Sequence, residues 1–384
     1  MGSGVLPILD LKRSCGALKG EILEAVSRVL ESQSFILGRE VRAFEEHVES
    51  YLEGAAAVGC ASGTDALLLA LMALDVGPGD EVVTTPYSFF ATASSIVRLG
   101  ATPVFADIDP KTCNVNLKAA AARFGPKTKV FLPVHLFGQM TPLEEISGLC
   151  GERGVFIVED AAQAFGSWRR LRRHGEDRIV RAGVMGVIGC YSFFPTKNLG
   201  ACGDAGMAVT TDAGLAERLR RLRVHGAGTA YFHEEVGLNS RLDAIQAAIL
   251  DVKFRYLERW NEERRVLADR YRMFFGMKGL GKFVTLPEEL EGNFHIYHQY
   301  VVRVPQRDAL AAWLEERGLS TRVYYPLPLH LQRCFTYLGY KEGDFPEAER
   351  LAKESLALPL FAGLLPEEQE RLVNAIAEFY GSTD

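Results

Sequence analysis

The sequence predicts an α/β protein with a mostly parallel mixed sheet in a large domain, followed by a smaller C-terminal α+β domain. In the first half of the chain, helical patterns alternate with short apolar runs at residues 82–83, 104–105 and 130–132. This βα rhythm is typical of a mostly parallel sheet, because parallel neighbours need a crossover connection. The chain has 384 residues, which exceeds one ordinary domain and suits a large and a small one.

The domain boundary is expected inside a long helix. A helical pattern without proline runs from about residue 242 to 275, long enough to link two domains. Beyond it, the alternating residues 297–304 predict a strand of a compact second unit. We therefore expect a large domain over residues 1–250 and a small domain over residues 251–384.

Composition and charge argue against several kinds of partner. The formal net charge is −6, and the only long cluster of like charge is a group of arginines between residues 169 and 181, so we expect no nucleic acid partner. No stretch approaches the roughly 20 apolar residues of a membrane span. The first residues lack the basic-then-apolar order of a signal peptide. The sequence predicts a cytoplasmic protein with no membrane contact.

The cysteines and histidines do not predict a metal site. The seven cysteines are odd in number and have no CxxC spacing, which suits reduced thiols. His295 and His298 are spaced like a metal pair, but on a strand with period two they would point to opposite faces. We expect no metal.

Lys197 is the first candidate for a catalytic residue. It is the one lysine in residues 189–206, on a turn between an apolar strand and a glycine-rich loop. Such a lysine can form a Schiff base if rigid backbone holds its amine against an aldehyde, and glycines let main chain approach a flat cofactor. Taken alone, the pattern is more typical of an exposed loop cation, so the assignment depends on other segments of the chain.

Asp160 strengthens the case for Lys197. The apolar run over residues 154–163 predicts a buried strand that ends at this carboxylate, and ligands of open α/β sheets bind at the carboxyl ends of strands. A carboxylate there can pair with the protonated ring nitrogen of pyridoxal phosphate, and the combination of lysine and aspartate is typical of that cofactor. The alternative is an N-cap for the turn that follows.

Two further segments suit the same cofactor. Small polar residues, with Gly63 and Thr64 among them, precede a strongly helical run, so that free N–H groups and the helix dipole would face an anion. An ordinary helix N-cap is the alternative. Phe89 follows the strand at residues 81–84 and could stack on a cofactor ring or pack in the core.

Together these segments resemble one family, the DegT/DnrJ/EryC1/StrS group of nucleotide-sugar aminotransferases that depend on pyridoxal phosphate. The resemblance covers nearly the whole chain and is carried by an ordered set of segments: residues 35–38, 44–45, 62–67, 89–92, 107–109, 135–139, 159–163, 189–206, 223–226, 237–243, 325–330 and 358–359. It implies the fold type I of pyridoxal phosphate-dependent transferases, similar to aspartate aminotransferase.

The resemblance also implies a role for individual residues. Lys197 would carry the cofactor and later move protons, while Asp160 would hold the pyridine nitrogen. Gln163 would lie near the ring hydroxyl, and Phe89 would cover one face of the ring. Gly63, Thr64 and Ser192 would hold the phosphate. Asn239 would reach the phosphate of the neighbouring subunit, which implies a homodimer with composite active sites.

The implied reaction moves an amino group in two halves, with pyridoxamine phosphate as the intermediate form of the cofactor. The donor would be an amino acid, glutamate in most of the family, and the acceptor a keto nucleotide-sugar on the way to an amino sugar. Residues 239–243, together with residues 197–200 and 203–206, resemble members that aminate C3 of the hexose more than those that act at C4. Gln163 favours amination, because members that dehydrate the sugar have histidine at that place.

Two single residues and one arginine cluster are further candidates for contact with the substrate. Arg241 is a candidate for contact with the sugar or with a carboxylate on it, or else an ion-pair partner, and His330 is a second candidate substrate contact. The arginine cluster predicts a solvated surface hairpin, although some of its members could meet the diphosphate or an acidic group of the substrate. Its members are Arg169, Arg170, Arg172, Arg173, Arg178 and Arg181, with His174.

Other functions stay open at the level of the sequence. A sugar dehydratase is one, with Gln163 against it. A non-catalytic regulator on the same fold is another, since fold does not fix function. An aminotransferase of free amino acids would need an arginine clamp for the substrate α-carboxylate, which the sequence does not reveal.

Overall fold

A seven-stranded sheet organises the first two thirds of the chain. The computed structural model describes residues 4–173, 175–229 and 231–381. The strand order is β1-β9-β8-β5-β4-β2-β3, and β9 runs antiparallel to both of its neighbours while the other pairs are parallel. The strands of this sheet are β1 (Ala56–Cys60), β2 (Glu81–Thr84), β3 (Thr102–Phe105), β4 (Thr128–Leu132), β5 (Phe156–Asp160), β8 (Ile188–Ser192) and β9 (Gly206–Thr210). The predicted α/β fold with a mostly parallel mixed sheet is confirmed.

Helices cover both faces of the sheet. Along β9, Met207 and Val209 belong to one apolar cluster and Ala208 to another, as expected for side chains that alternate between two buried faces. The helices are α1 (Leu11–Cys15), α2 (Lys19–Ser32), α3 (Arg39–Tyr51), α4 (Gly63–Ala73), α5 (Ala91–Arg98), α6 (Leu117–Ala121), α7 (Ser147–Arg153), α8 (Ala213–Leu222), α9 (Ala244–Phe254), α10 (Leu257–Met277), α11 (Arg307–Glu316), α12 (Pro346–Glu354) and α13 (Pro366–Phe379).

The remaining strands lie outside the main sheet. The arginine cluster forms the predicted hairpin, β6 (Trp168–Arg173) with β7 (Glu176–Arg181), and β12 (Asn293–Phe294) pairs with β6. His174 lies outside the described residues. A short ladder joins β10 (Ala227–Thr229) to β11 (Phe232–His233), and β13 (Tyr300–Arg303) pairs with β14 (Ser355–Leu358).

The helix expected to link the domains is in fact two helices. It breaks at Arg255 and Tyr256, between α9 and α10. The apolar residues of α9 pack in the cluster beneath the sheet, whereas Leu267 and Phe275 of α10 pack in a second cluster with β13, β14 and α13. Leu257, the first residue of α10, still packs in the first cluster, so the chain passes to the second core after the break. The prediction of one continuous helix was wrong.

The N-terminal segment packs with the C-terminal part of the chain. Leu6 lies in the second cluster, its N–H donates to Gly318 O at 2.8 Å, and its carbonyl accepts from Ser320 N at 2.9 Å. The sequence assigned this segment to the large domain, but Leu6 packs with the C-terminal core instead. The division of the chain near residue 250 stays a prediction. None of the helices in the described ranges is long and apolar enough to cross a membrane.

Candidate active site

The carboxyl ends of the parallel strands place the candidate residues at one edge of the sheet. β1 ends just before Gly63, β2 just before the loop of Phe89, β5 at Asp160 and β8 at Ser192. Parallel strands direct their carboxyl ends to the same edge, which is where open α/β sheets bind ligands. Side chains that are far apart in sequence therefore meet around the turn of Lys197.

Lys197 is held by a tight turn that follows β8. Its N–H donates to Phe194 O at 2.8 Å, and Ala201 N donates back to Phe193 O at 2.8 Å. A Cβ at Gly200 would lie 2.4 Å from the carbonyl oxygen of Pro195, so the turn closes only with glycine there. Lys197 is half-buried, and burial lowers its pKa to about 8, although the Asp160 carboxylate opposes the shift. An exposed loop cation is therefore the wrong interpretation.

Asp160 is a buried carboxylate with a fixed orientation. Its side chain is 4% exposed; Oδ2 accepts a hydrogen bond from Thr92 Oγ1 at 2.8 Å, and Oδ1 accepts one from Ala162 N at 3.2 Å. Burial raises the pKa of Asp160, while the two hydrogen bonds and the charge of Lys197 lower it. The N-cap predicted as an alternative is thus formed by the hydrogen bond from Ala162 N to Oδ1. It occupies only one of the two carboxylate oxygens of Asp160.

The residue before Asp160 fixes the end of β5 to its surroundings. Glu159 is fully buried and accepts hydrogen bonds from Gly183 N at 2.8 Å and Gly186 N at 2.6 Å. His135 Nδ1 accepts from Thr141 N at 3.1 Å, so its Nε2–H donates to Glu159 Oε2 at 2.7 Å. This buried network holds the strand end rigidly.

The expected phosphate site lies at the start of α4. Ser62 is the N-cap residue, and its Oγ accepts from Asp65 N at 3.1 Å. Gly63 approaches β8 so closely that a Cβ there would lie 2.5 Å from Ser192 Cβ. The helix start, Thr64 and the Ser192 hydroxyl therefore converge on one spot, which suits an anion. The ordinary N-cap is present, and an anion site at the same helix start stays a prediction.

Gln163 connects the site to the C-terminal part of the chain. Its Oε1 accepts from Phe137 N at 2.8 Å, so its amide nitrogen is the group that donates to Tyr325 OH at 2.9 Å. The backbone N–H of Tyr325 donates to Tyr87 OH at 2.7 Å. The Phe89 ring lies 6.2 Å from the Tyr325 ring and is 58% exposed. Core packing is therefore the wrong interpretation of Phe89, which is largely exposed beside Tyr325.

The structure separates the remaining candidates from this group. Asn239 is exposed and bridges to Val224 through its backbone, while the half-buried Arg241 side chain pairs with no described residue. The ion-pair role considered for Arg241 is thus not formed within the described chain. His330 is 1% exposed, and its Nε2 lies 3.1 Å from Glu349 Oε1. Direct contact with a substrate would require His330 to become exposed.

The arginines of the β6–β7 hairpin divide into paired and exposed residues. Arg169 donates to Glu144 at 2.7 Å, and Arg181 stacks 3.7 Å from the Tyr51 ring. Arg170, Arg172 and Arg178 are exposed, as expected for a solvated hairpin; the side chain of Arg173 lies outside the described residues, as does His174.

His295 and His298 lie between β12 and β13, not on a strand as predicted. His298 Nδ1 is 3.1 Å from Asn198 Oδ1, and burial lowers the pKa of His295 to about 3. Among the described residues, no group of three or more histidine, cysteine or acidic side chains could hold a metal ion. The cysteines that the structure describes are all free.

Sequence reasoning missed several residues of the site. Thr92 holds Asp160, Tyr325 holds Gln163, and Arg264 and His298 lie behind the turn of Lys197. Thr92 and Tyr325 stand inside segments that carry the family resemblance, which was the available signal. Arg264 lies within a helical pattern and had none.

The residues present fit pyridoxal phosphate. The start of α4 with Ser192 can bind a phosphate, and the contact of Gly63 with β8 leaves no room for a side chain there. Asp160 can hold a protonated ring nitrogen, Phe89 can cover the ring, and the lowered pKa of Lys197 favours the neutral amine that reacts with an aldehyde.

Comparison with known proteins agrees with this geometry. The chain is 48% identical over 375 residues to "Pleiotropic regulatory protein" of Geobacillus stearothermophilus, and 98% of each chain is covered. It is 41% identical over 371 residues to UDP-N-acetyl-3-dehydro-alpha-D-glucosamine 3-aminotransferase of Acidithiobacillus ferrooxidans, with 97% of each covered. The crystal structure of S. venezuelae DesV in complex with a ketimine intermediate matches 99% of this chain and 100% of that chain, with a TM-score of 0.93 and 37% identity.

The family model described as "DegT/DnrJ/EryC1/StrS aminotransferase family" matches residues 17–377. The cofactor is pyridoxal phosphate, as the arrangement of Lys197 and Asp160 predicts. The chain therefore belongs to the DegT/DnrJ/EryC1/StrS aminotransferase family.

Proposed function

We propose that this protein transfers an amino group from glutamate to C3 of a keto nucleotide-sugar, as a step in the biosynthesis of an amino sugar. The observation that carries the proposal is the convergence of Lys197, Asp160 and the α4 anion site at one edge of the sheet, in a chain that is 41% identical to a nucleotide-sugar 3-aminotransferase. The polypeptide supplies binding, orientation and proton transfer for the reaction.

The chemistry divides between cofactor and protein. Bound pyridoxal phosphate supplies an electron sink for the charge that develops at the substrate carbon. Lys197 Nζ would accept a proton from that carbon and deliver it to the cofactor carbon, because burial lowers the pKa of this amine to about 8 and makes it a usable base. The carboxylate of Asp160 holds positive charge at the ring nitrogen, and Thr92 keeps that carboxylate oriented.

Gln163 supports amination over dehydration of the sugar. Its amide carries no proton that titrates near neutral pH, and both ends are already committed to Phe137 and Tyr325. Members of the family that dehydrate the sugar have histidine there, which can exchange a proton. The dehydratase therefore remains the less favoured candidate.

The choice of C3 as the carbon that is aminated is supported by the names of relatives and by one segment of this chain. Two further relatives, 38% and 35% identical, are named dTDP-3-amino-3,4,6-trideoxy-alpha-D-glucose transaminase and UDP-2-acetamido-2-deoxy-3-oxo-D-glucuronate aminotransferase, and both names place the nitrogen or the ketone at C3. Residues 239–243 resemble the C3 group as well. Amination at C4 is the alternative within the same class.

The assembly and the location are also part of the proposal. The exposed side chain of Asn239 and the unpaired side chain of Arg241 suit residues that act at the active site of a neighbouring subunit. We therefore propose a homodimer with composite sites, in the cytoplasm. Arg241 would contact the sugar or a carboxylate of a substrate across the interface.

A regulatory protein is the second candidate, because the relative that is 48% identical is named "Pleiotropic regulatory protein". A regulator has no need for a lysine with a lowered pKa opposite a buried carboxylate. Purified protein that binds no pyridoxal phosphate would favour the regulator.

The test is to incubate the loaded protein with glutamate and a matched pair of 3-keto and 4-keto nucleotide-sugars, with Lys197→Ala as the inactive control. Mass spectrometry and NMR identify the carbon that carries nitrogen. Nitrogen at C3 is the expected result. Nitrogen only at C4 would overturn the position, and loss of water without amination would move the protein to the dehydratases.

A further inference from the structure

Two adjoining cavities lie directly behind the turn of Lys197. The larger, of about 90 Å³, is lined by His298, Gln299 and Tyr324 among others. The smaller, of about 20 Å³, is lined by Lys197 itself and by Lys253. The two share Leu9, Thr196 and Arg264 in their linings, so they adjoin each other beside the reacting lysine, and together they are called the space behind Lys197.

The charges around this space have one sign. Lys197, Lys253 and Arg264 contribute to the lining, and no aspartate or glutamate is among the described residues that line either cavity. Lys253 is 6% exposed, and its Nζ donates to the carbonyl oxygen of Gly200 at 2.6 Å. Buried cations are normally paired with carboxylates, so this space lacks an anion.

Arg264 is the residue with unused hydrogen-bond donors. It is 5% exposed, and Nη1 donates to the carbonyl oxygens of Tyr297 at 3.0 Å, His298 at 3.2 Å and Leu360 at 2.9 Å. Nε and Nη2 donate to no described residue. Burial lowers the pKa of Arg264 to about 10 with no carboxylate to offset it. The free side of the guanidinium has the fork geometry that binds a carboxylate with two parallel hydrogen bonds.

His298 complements the arginine. Asn198 donates through Nδ2 to Asn261 Oδ1 at 2.7 Å, so its Oδ1 accepts from His298 Nδ1–H at 3.1 Å. The pKa of His298 lies well below its ordinary value because of burial and the charges of Lys197 and Arg264, so the ring is neutral. Its Nε2 is an acceptor without a described donor. An acceptor beside a free guanidinium suits an ammonium group beside a carboxylate.

We propose that this space binds the α-carboxylate of the amino donor, with Arg264 as the cation that recognises it. The inference rests on the proposed function, because only an aminotransferase needs such a donor. The α-carboxylate is attached to the carbon that bears the nitrogen, so it must lie close to Lys197 when that nitrogen is exchanged. The diphosphate of a nucleotide-sugar is many bonds from the reacting carbon and cannot occupy the same place.

The test separates the two half-reactions of the loaded enzyme. L-Glutamate is mixed with wild type and with Arg264→Met in the absence of sugar, and the loss of cofactor absorbance gives the apparent Kd for glutamate. We expect Arg264→Met to raise it by about 30-fold or more, as when a buried charge loses its partner. Arg264→Lys keeps the charge and should fall between. Arg259→Met, on the exposed face of α10, is the matched control and should match wild type.

The second half-reaction shows whether the effect is local. The same variants are mixed with a 3-amino nucleotide-sugar in the absence of glutamate, and Arg264→Met should weaken this half-reaction far less than it weakens the reaction with glutamate. Equal weakening of both half-reactions would overturn the inference in favour of a structural role. A weaker sugar half-reaction alone would assign the site to a carboxylate of the sugar. If wild type performs neither half-reaction, the proposed function itself fails.

A binding measurement gives an independent readout. L-2-Hydroxyglutarate has the α-carboxylate but no amino group, so it cannot react. By calorimetry we expect it to bind wild type and Arg259→Met alike and to bind Arg264→Met about 30-fold more weakly. Equal binding to all three proteins would contradict the inference.

Discussion

Opposing electrostatic effects act on Asp160. Burial favours the protonated acid, whereas the hydrogen bond from Thr92, the N–H of Ala162 and the charge of Lys197 favour the carboxylate. The reaction needs the carboxylate, because only the charged form holds a protonated ring nitrogen. The pKa of Asp160 stays raised because burial is the largest of these effects, and the hydrogen bond from Thr92 offsets part of it.

Replacing Thr92 tests this role. Thr92→Val removes the hydroxyl that lies 2.8 Å from Asp160 Oδ2 and should lower kcat/KM by about 10- to 100-fold, since a hydrogen bond to a charged group contributes about 1.5–3 kcal/mol. The pKa of Asp160 should rise further, so the acid limb of the pH–rate profile should move to higher pH. Thr92→Ser keeps the hydroxyl and should restore both. An unmoved acid limb in Thr92→Val would contradict the role.

The lowered pKa of Lys197 predicts how the apoenzyme takes up its cofactor. Only the neutral amine reacts with an aldehyde, so the rate constant for loading should rise with pH and level off above about pH 8, since the pKa lies near 8. In Asp160→Asn the midpoint should move to lower pH, because the carboxylate that raises this pKa is gone. A wild-type midpoint near the ordinary lysine value of 10.5 would show that Lys197 is not buried as described.

At this scale the sequence predicted the residues whose chemistry is local. Lys197 stands between a strand and a glycine-rich loop, and Asp160 ends an apolar run, so each is visible within ten residues of chain. Arg264 was not predicted, because its role depends on carbonyl groups from residues 297, 298 and 360 and on a cavity closed by Leu9. Contacts of that kind have no pattern along the chain.

At the scale of secondary-structure elements, the important contact is between the start of α4 and the end of β8. Their backbones meet at Gly63, where a Cβ would lie 2.5 Å from Ser192 Cβ and 3.1 Å from Ser192 Cα. The N–H groups of the helix start can face a phosphate only while this contact is kept. One residue without a side chain therefore sets the geometry of the anion site.

The change Gly63→Ala should separate α4 from β8 and weaken the binding of pyridoxal phosphate by about tenfold or more, because overpacking costs about 1–3 kcal/mol. A cofactor titration of the apoenzyme measures the effect. Gly148→Ala in helix α7 is the control, since a Cβ there meets nothing within 4 Å. Unchanged affinity for the cofactor in Gly63→Ala would show that the close contact of Gly63 with Ser192 is not needed for phosphate binding.

Elements that depend on local periodicity were predicted well, and their junctions were not. Short apolar runs correctly predicted four strands, β2, β3, β4 and β5. A buried parallel strand can be recognised in the sequence because nearly all of its residues are apolar. The break between α9 and α10 at Arg255 was missed because no proline or glycine marks it. The two helices still share the first core at the break, through Leu257, and α10 enters the second core only from Leu267.

At the scale of the whole molecule, the proposed active site needs two chains. Asn239 is exposed in this chain and the Arg241 side chain pairs with no described residue. The family resemblance places Asn239 at the phosphate of the neighbouring subunit. The dimer is therefore part of the catalytic unit in this account.

Mixed dimers test whether the sites are composite. Lys197→Ala and Asn239→Ala should each be strongly impaired alone. When the two are mixed and allowed to exchange subunits, each mixed dimer has one site with both changes and one intact site. Activity should return to about a quarter of wild type, since about half of the dimers are mixed and one site of two is intact. No recovery, with exchange verified by mass spectrometry, would place Asn239 outside the neighbour's site.

The division of the chain into domains shows how far sequence reasoning reaches at this scale. The C-terminal core was expected from residue 251 onward, but Leu6 packs within it through hydrogen bonds to Gly318 and Ser320. Pairing over more than 300 residues of chain has no local signal in the sequence. The same N-terminal segment supplies Leu9 to the cavity behind Lys197, so the fold and the proposed donor site depend on one long-range contact.

The central claim is that Lys197 carries the cofactor of an aminotransferase. The most direct measurement is to load the protein with pyridoxal phosphate, reduce it with borohydride and map the modified peptide by mass spectrometry, with Lys197→Ala treated in parallel. The account predicts a phosphopyridoxyl group on Lys197 alone and none in the variant. Modification of another lysine, or equal modification of the variant, would contradict it.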